Sequence, residues 1–413
     1  MTKQDNFFLW IVASSPCVNI GIDLLMNFSP SLKFTAIVLR LVFNLLLIFY
    51  FLQKYGVPKN NLNSFLLIYI LYLFGISMLA SNLMESIFDG FMKIAISLIM
   101  IPIGFKVAQL DKNTMIKGVY WMVIALLLNY GVSQFFKLGV SVYSEDSFYK
   151  GGATASAPII LSMSILIFFS AFNSNQLPYS KIFTIILSSI SIFIIILSVK
   201  RGAIFGLAAG LAVYFIFTSK KLNSSFRLVL IALGFIAIFS EYSSVIQKRV
   251  DARTTEKNEI QNENRYREVF YMLEEMENLS ISQILFGYEP FNSSKIMAKY
   301  FGRPRQLHVD YTILLLGTGV VGLLIYLGLF WNIFRFSQRL KSLFIQNQLL
   351  SGRLEVYENF ALTSSLIVLS LTMSFSGGIQ FISYRIILFL YMGYSIGRIF
   401  FWINNRKRIH IPT

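Results

Sequence analysis

Residues 308–333 read HVDYTILLLGTGVVGLLIYLGLFWNI, and no charged side chain follows Asp310 in them. A helix rises ~1.5 Å per residue, so ~20 mostly apolar residues cover the ~30 Å hydrocarbon core of a bilayer. Eleven further runs of this kind lie at 7–27, 34–53, 63–82, 87–105, 119–138, 157–173, 182–199, 202–218, 226–240, 357–375 and 384–403. Across the 413 residues, 55% are hydrophobic and 14% charged, where soluble domains carry ~25% charged residues. The expectation is an all-α polytopic membrane protein of about twelve transmembrane helices, and a soluble enzyme or a disordered chain is excluded. One cysteine, Cys17, permits no intrachain disulfide, and the two distant histidines, His308 and His410, cannot build a Cys/His zinc site with it.

The net charge of +16 would suggest nucleic acid in a soluble protein. In a membrane protein the same excess is expected on the cytoplasmic loops, and no nucleic-acid partner is implied. With the N-terminus inside, the short inner loops hold 17 Lys and Arg and the short outer loops 6, so both termini are placed in the cytoplasm. Pro16 stands before Cys17, where a lipoprotein signal needs a small residue, and the first run reads as a retained span. Asp23 and Arg40 fall at nearly matching depths in the first two runs, and a structural ion pair between them avoids an isolated charge costing ~2.5–3.5 kcal/mol.

The chain divides into spans 1–240, an outer loop 241–307, and spans 308–413 with a basic tail. That 67-residue loop carries ten acidic and ten basic residues, and a loop of this length is more often functional than idle. Tyr266, Val269, Phe270, Leu273 and Met276 recur at helical spacing, which predicts an amphipathic helix over 264–278 with Arg267, Glu268, Glu274 and Glu275 on its other faces. Gly287, Pro290, Asn292, Ser293, Gly302 and Pro304 predict an irregular return to the membrane.

Few residues here can carry chemistry. No Asp-x-Asp pair and no phosphate-cradling Gly-rich loop ending in Lys occur, against cytoplasmic nucleotide-sugar chemistry and an ATP-driven pump. His308 opens the tenth run at the outer surface, as a general base or as an interfacial anchor. Gly319 and Gly322 are accounted for as small residues that let helices approach closely. Lys200 and Arg201 sit in a short outer turn, inviting an anion or snorkelling to the interface. Arg265 and Arg267 occupy the first turn of the loop helix, where the macrodipole disfavours cations unless an anion binds. The alternative there is a solvated face paired with Glu268 or Glu275.

His308, then Gly319-Val-Val-Gly322, resembles the O-antigen polymerase and O-antigen ligase family, whose ligases show His, a polar amide or Ser, nine residues, and Gly-x-x-Gly. Ser198-Val-Lys-Arg-Gly-Ala203 resembles the family's short outer turn with its Arg. Arg267, Tyr271 and Leu285-Phe286-Gly287 are similar to its loop Arg, aromatic residue and Phe-Gly. The matches span about 198–322. The resemblance implies glycan transfer from undecaprenyl pyrophosphate to a sugar hydroxyl at the periplasmic face of a bacterial inner membrane, without cofactor or metal. His308, Arg201 and Arg267 are then the expected catalytic residues. Lys200, Arg265, Tyr271, Arg303 and Arg305 are expected to bind substrate, and membrane lipid, a chain-length regulator and a flippase of the same pathway are candidate partners. Val309 departs from the ligase pattern and favours a polymerase. A ligase acting on lipid A-core, a flippase of lipid-linked oligosaccharide, and a polymerase of capsule or exopolysaccharide are the alternatives.

Overall fold

The computed structural model describes residues 2–28, 30–111, 113–135, 156–198, 200–218, 264–302, 306–347, 352–378 and 381–409. Among them the regular structure is helical, with no strand. The helices are α1 (Lys3–Phe28), α2 (Lys33–Tyr55), α3 (Asn61–Ser77), α4 (Leu83–Leu110), α5 (Thr114–Phe135), α6 (Ala157–Asn173), α7 (Lys181–Leu197) and α8 (Arg201–Phe217). After the undescribed stretch come α9 (Asn264–Glu277), α10 (Ile281–Phe286), α11 (Ser293–Phe301), α12 (Asp310–Gln346), α13 (Arg353–Met373) and α14 (Ile382–Ile409).

Eleven of the twelve apolar runs are therefore helices, while the ninth, 226–240, lies outside the described residues. Six helices are long and apolar enough to cross a membrane, and the chain is an all-α membrane protein. Large apolar side chains stand exposed along α2 (Phe34, Leu46, Phe49), α3 (Leu67, Ile68, Leu71) and α12 (Leu324, Trp331), a belt suited to lipid. The tenth run extends to Gln346 because Ile333, Ser337, Leu340 and Phe344 continue a buried stripe at helical spacing.

At the centre stands α14, buried without interruption from Ser383 to Ile399. It packs most closely on α4, and also touches α1, α12 and α13. The approach to α4 depends on glycine, since a Cβ at Gly104 would lie 2.0 Å from the Leu390 carbonyl oxygen and one at Gly393 2.0 Å from that of Ile101. On the other side α13 packs against α6 and α8. Two buried arginines are met by carboxylates. Arg40 pairs with Asp23, as their depths suggest, beside an Asn19–Asn44 amide contact of 3.1 Å. Arg398 pairs with Glu355 at 2.6 Å and donates to the Ala108 carbonyl at 2.9 Å.

α12 is not one straight rod. Gly319 (φ 67, ψ −176) interrupts it, and the interruption changes the reading of the Gly319 and Gly322 pattern. These glycines do admit close approach, as their size suggests, but at Gly319 the approach is made to a break in the helix. A Cβ at Gly319 would lie 2.3 Å from the Leu285 carbonyl oxygen, and one at Gly287 (φ 100) 2.3 Å from that of Gly317, so α10 and the following turn dock backbone to backbone on the break. Gly322 lies against the Thr318 side chain and, 3.0 Å from where a Cβ would stand, the Tyr72 ring of α3. The bend is large: Asp310 donates its N–H to the Ser374 carbonyl at 2.8 Å and Tyr326 bonds the Ser374 hydroxyl at 3.0 Å. In a straight helix residues that far apart would be separated by roughly 24 Å.

Gly393→Ala is expected to cost ~1–3 kcal/mol by forcing α4 and α14 apart. Gly75→Ala, with nothing within 4 Å of its new methyl, should be neutral or mildly stabilising. Thermal unfolding in detergent measures both, and equal midpoints would refute the tight contact.

Candidate functional site

α9 forms where the sequence places it, but it is turned over. Its buried face carries Glu268, Met272 and Glu275, at 0%, 2% and 8% exposure, while Phe270 (60%) and Leu273 (47%) point outward. Two residues of the expected apolar stripe thus point away from the protein, while Met276 packs against the core. The outward residues join Ile281, Leu285 and Phe286 of α10, also exposed, as the apolar side of an interfacial helix would be. The expected irregular stretch is also partly helical. α11 fills it, with Asn292 before its first turn and Gly302 ending it in the left-handed conformation (φ 67).

The buried carboxylate of Glu268 spends both oxygens on His308. Oε2 accepts the His308 backbone N–H at 2.9 Å and Oε1 lies 2.9 Å from Nδ1. The ionised form of Glu268 only accepts, so against it a neutral ring holds its proton on Nδ1 and its lone pair on Nε2. The His308 side chain is 41% exposed, so the imidazole is open to its surroundings. Glu268 can stabilise the imidazolium that forms if Nε2 takes a proton. The strand of backbone at His308 is clamped on both sides: Leu307 donates its N–H to Ser293 Oγ at 3.2 Å, and a Cβ on Gly377 would sit 2.0 Å from the His308 carbonyl oxygen.

Arg267, next to Glu268, pairs with neither acid. It donates from Nη2 to the Tyr271 hydroxyl at 2.6 Å, one helical turn on, and lies over the rings of Tyr271 (5.4 Å) and Phe301 (5.9 Å). Tyr271 stacks on Tyr300 with centroids 4.7 Å apart and planes at 17°. Glu275 binds the Tyr300 hydroxyl at 3.0 Å and pairs with Lys299. The Glu275 hydrogen bond raises the Lys299 ammonium pKa and keeps it charged, while burial and then Glu275 raise the Tyr300 hydroxyl. The result is a guanidinium on an aromatic shelf beside an oriented imidazole.

The Lys200–Arg201 turn reaches the same place from across the bundle. Gly202 lies against Ser376, the residue before the glycine that contacts His308, and the Lys200 ammonium sits 4.8 Å from the Phe381 ring centroid. Arg201 opens α8 and Arg265 falls in the first turn of α9. Their side chains, and residues Arg303 and Arg305, lie outside the described residues. The structure thus gathers His308, Arg267, Tyr271 and Lys200 at one end of the bundle. No group of three or more His, Cys, Asp or Glu able to hold a metal occurs among the described residues.

Sequence reasoning missed Glu268, assigned to a solvated face, and the Ser374–Gly378 segment on which the turn and His308 both rest. The signal available was α9's own pattern: at a membrane boundary an apolar stripe can face lipid, leaving the acidic stripe to face the protein. No protein-family model matches the chain, and no curated protein matches it in sequence.

With only two histidines in the chain, ring-nitrogen NMR of ¹⁵N-histidine protein bearing His410→Gln isolates His308. At alkaline pH the Nδ1–H tautomer is expected to dominate and to lose that dominance in Glu268→Ala. An Nε2–H majority in the parent would remove Glu268 as the orienting group.

Proposed function

We propose that the chain is a membrane glycosyltransferase that polymerises surface polysaccharide, moving the growing glycan from undecaprenyl pyrophosphate to a sugar hydroxyl of a lipid-linked repeat unit. The observation that carries this reading is the Glu268–His308 pair beside Arg267 on its aromatic shelf. In this reading twelve spans place both termini in the cytoplasm and the 241–307 loop in the periplasm of a bacterial inner membrane.

The acceptor hydroxyl gives its proton to His308 Nε2 as its oxygen bonds the anomeric carbon of the donor. The bond from that carbon to the pyrophosphate breaks, and its electron pair leaves on the phosphate oxygen. Arg267 and Arg201 neutralise the departing diphosphate, for which a planar guanidinium supplies two parallel hydrogen bonds. Glu268 holds the imidazole in the tautomer that accepts a proton and balances its charge afterwards. Tyr271 and Tyr300, stacked on each other, hold Arg267 in place to meet the diphosphate.

One observation favours a second reading. An interrupted helix such as α12 is frequent in transporters, where broken helices frame a substrate path, and a lipid-linked oligosaccharide flippase is the corresponding function. A deletion strain separates the readings on a lipopolysaccharide gel. Loss of the polymerase leaves lipid A-core bearing one repeat unit, whereas loss of a ligase or flippase leaves bare core, with polymer on the lipid carrier only in the ligase case.

Purified His308→Ala enzyme, given synthetic lipid-diphosphate donor in the presence of EDTA, is expected to lose ~10²- to 10⁴-fold in rate. Arg267→Lys and Arg201→Lys should be severely impaired while remaining in the membrane. Transfer by His308→Ala within a few-fold of the parent would sink the base assignment, and a parent activity abolished by EDTA would sink the metal-free mechanism.

A further inference from the structure

Three arginines are buried among the described residues: Arg40, Arg385 and Arg398. Two have a carboxylate partner, Asp23 and Glu355 respectively. Arg385, in the first turn of α14, is 3% exposed and forms no ion pair among the described residues, and its Nη1 lacks any hydrogen-bond partner. Its guanidinium lies 6.0 Å from the Tyr326 ring centroid and 5.7 Å from that of Phe389. Aromatic faces temper a buried cation but do not satisfy its N–H groups.

The groups around it share the deficiency. Tyr69 on α3 and Tyr384 on α14 are 0% and 2% exposed, and neither hydroxyl has a hydrogen-bond partner; that of Tyr384 faces the Ser370 hydroxyl without closing a bond. Both hydroxyls, with that of Tyr326, lie within electrostatic range of Arg385. Buried polar groups almost always find partners. Here one guanidinium nitrogen and two phenol hydroxyls, all able to donate, are left without a hydrogen-bond partner. An anionic acceptor would satisfy all three at once, since a phenol donates as readily as it accepts and the one fixed charge is positive.

The cluster adjoins the outer site. The Tyr384 ring lies 3.4 Å from where a Cβ on Gly378 would stand, and the Gly378 N–H donates to Asp310 Oδ2 at 2.9 Å, two residues after His308. Asp310, the carboxylate in range of Tyr326 and Tyr384, is engaged by that N–H.

We infer that Arg385, with the hydroxyls of Tyr69 and Tyr384, seats a phosphoryl oxygen of an anionic ligand, separately from Arg201 and Arg267. The choice of phosphoryl over carboxylate rests on the glycosyltransferase reading given above. The seat itself rests on the three unpartnered donors.

Full-length protein in lipid nanodiscs is titrated calorimetrically with inorganic pyrophosphate and, in a second arm, with farnesyl diphosphate. Tyr69→Phe should weaken binding about tenfold and Arg385→Gln ~100-fold, with Arg385→Lys between them, as for hydrogen bonds to charged groups. Tyr69→Phe removes one unbonded oxygen, so its unliganded unfolding midpoint should match or exceed the parent's, which keeps the test valid even if Arg385→Gln fails to fold. Binding of both probes assigns the seat to phosphate itself, and binding of farnesyl diphosphate alone assigns it to a lipid headgroup; either supports the inference. No binding of either probe by the parent, or Tyr69→Phe and every folded Arg385 variant within twofold of the parent, overturns it and leaves the donors facing water only. Arg385-dependent diphosphate binding in a protein that transfers no glycan would sink the enzyme reading and keep the seat. Transfer by the parent with binding unchanged in the variants would do the reverse.

Discussion

Two carbonyl oxygens hold the segment of α9 to α11 in place. Breaking α12 at Gly319 removes helical partners from the turn before it, and in a bilayer each unpaired backbone group costs several kcal/mol. The Leu316 carbonyl is met by the N–H of Tyr288, at 2.7 Å, and the Thr318 carbonyl by the hydroxyl of Tyr72, at 2.6 Å. One partner comes from the turn after α10 and the other from α3, so the break ties both to α12. The positions of α10 and α9, and thus of Glu268 against His308, follow from that tie. The turn between α10 and α11 conforms to it: Glu289 and Phe291 adopt positive φ (49 and 59), a conformation L residues take only when their surroundings impose it. Phe291 fits against Gly90, in the π-helical turn Ser86–Phe91 of α4.

Helix content was legible in the sequence because hydrocarbon admits little else. An apolar run must satisfy its own backbone, and the run 157–173 and the helix Ala157–Asn173 coincide. The Asp23–Arg40 pair was legible for a related reason, since two opposite charges at equal depth in adjacent helices have one economical arrangement. The orientation of α9 was not. Apolar periodicity says that a stripe faces something apolar, and for a helix at an interface both the protein and the lipid qualify.

The site was legible in its residues more than in its connections. His308, Arg267 and Tyr271 stand out by residue type and by position relative to the spans, and α9 and the start of α12 bring them together. Glu268 does not stand out, because a carboxylate forty residues from its imidazole is one acid among many until the chain is folded. Arg385 was hidden similarly: in sequence it is an outer-loop charge at the start of a span, and only packing puts its head among tyrosines, where no carboxylate follows.

The contact between α4 and α14 carries a mechanical consequence. Carbonyl oxygens of each helix stand where a single carbon on the other would collide, so neither rotation nor sliding is available without first pulling the two apart. They behave as one girder. The Gly319 break is clasped in the same way by the backbone of Leu285 and Gly287, so the first segment of α12 can swing only with α10 and the turn after it. Ser374 is bonded to both segments of α12, so such a swing strains the link between Asp310 and Tyr326, and His308 moves with the segment it precedes while Arg385 stays with the girder.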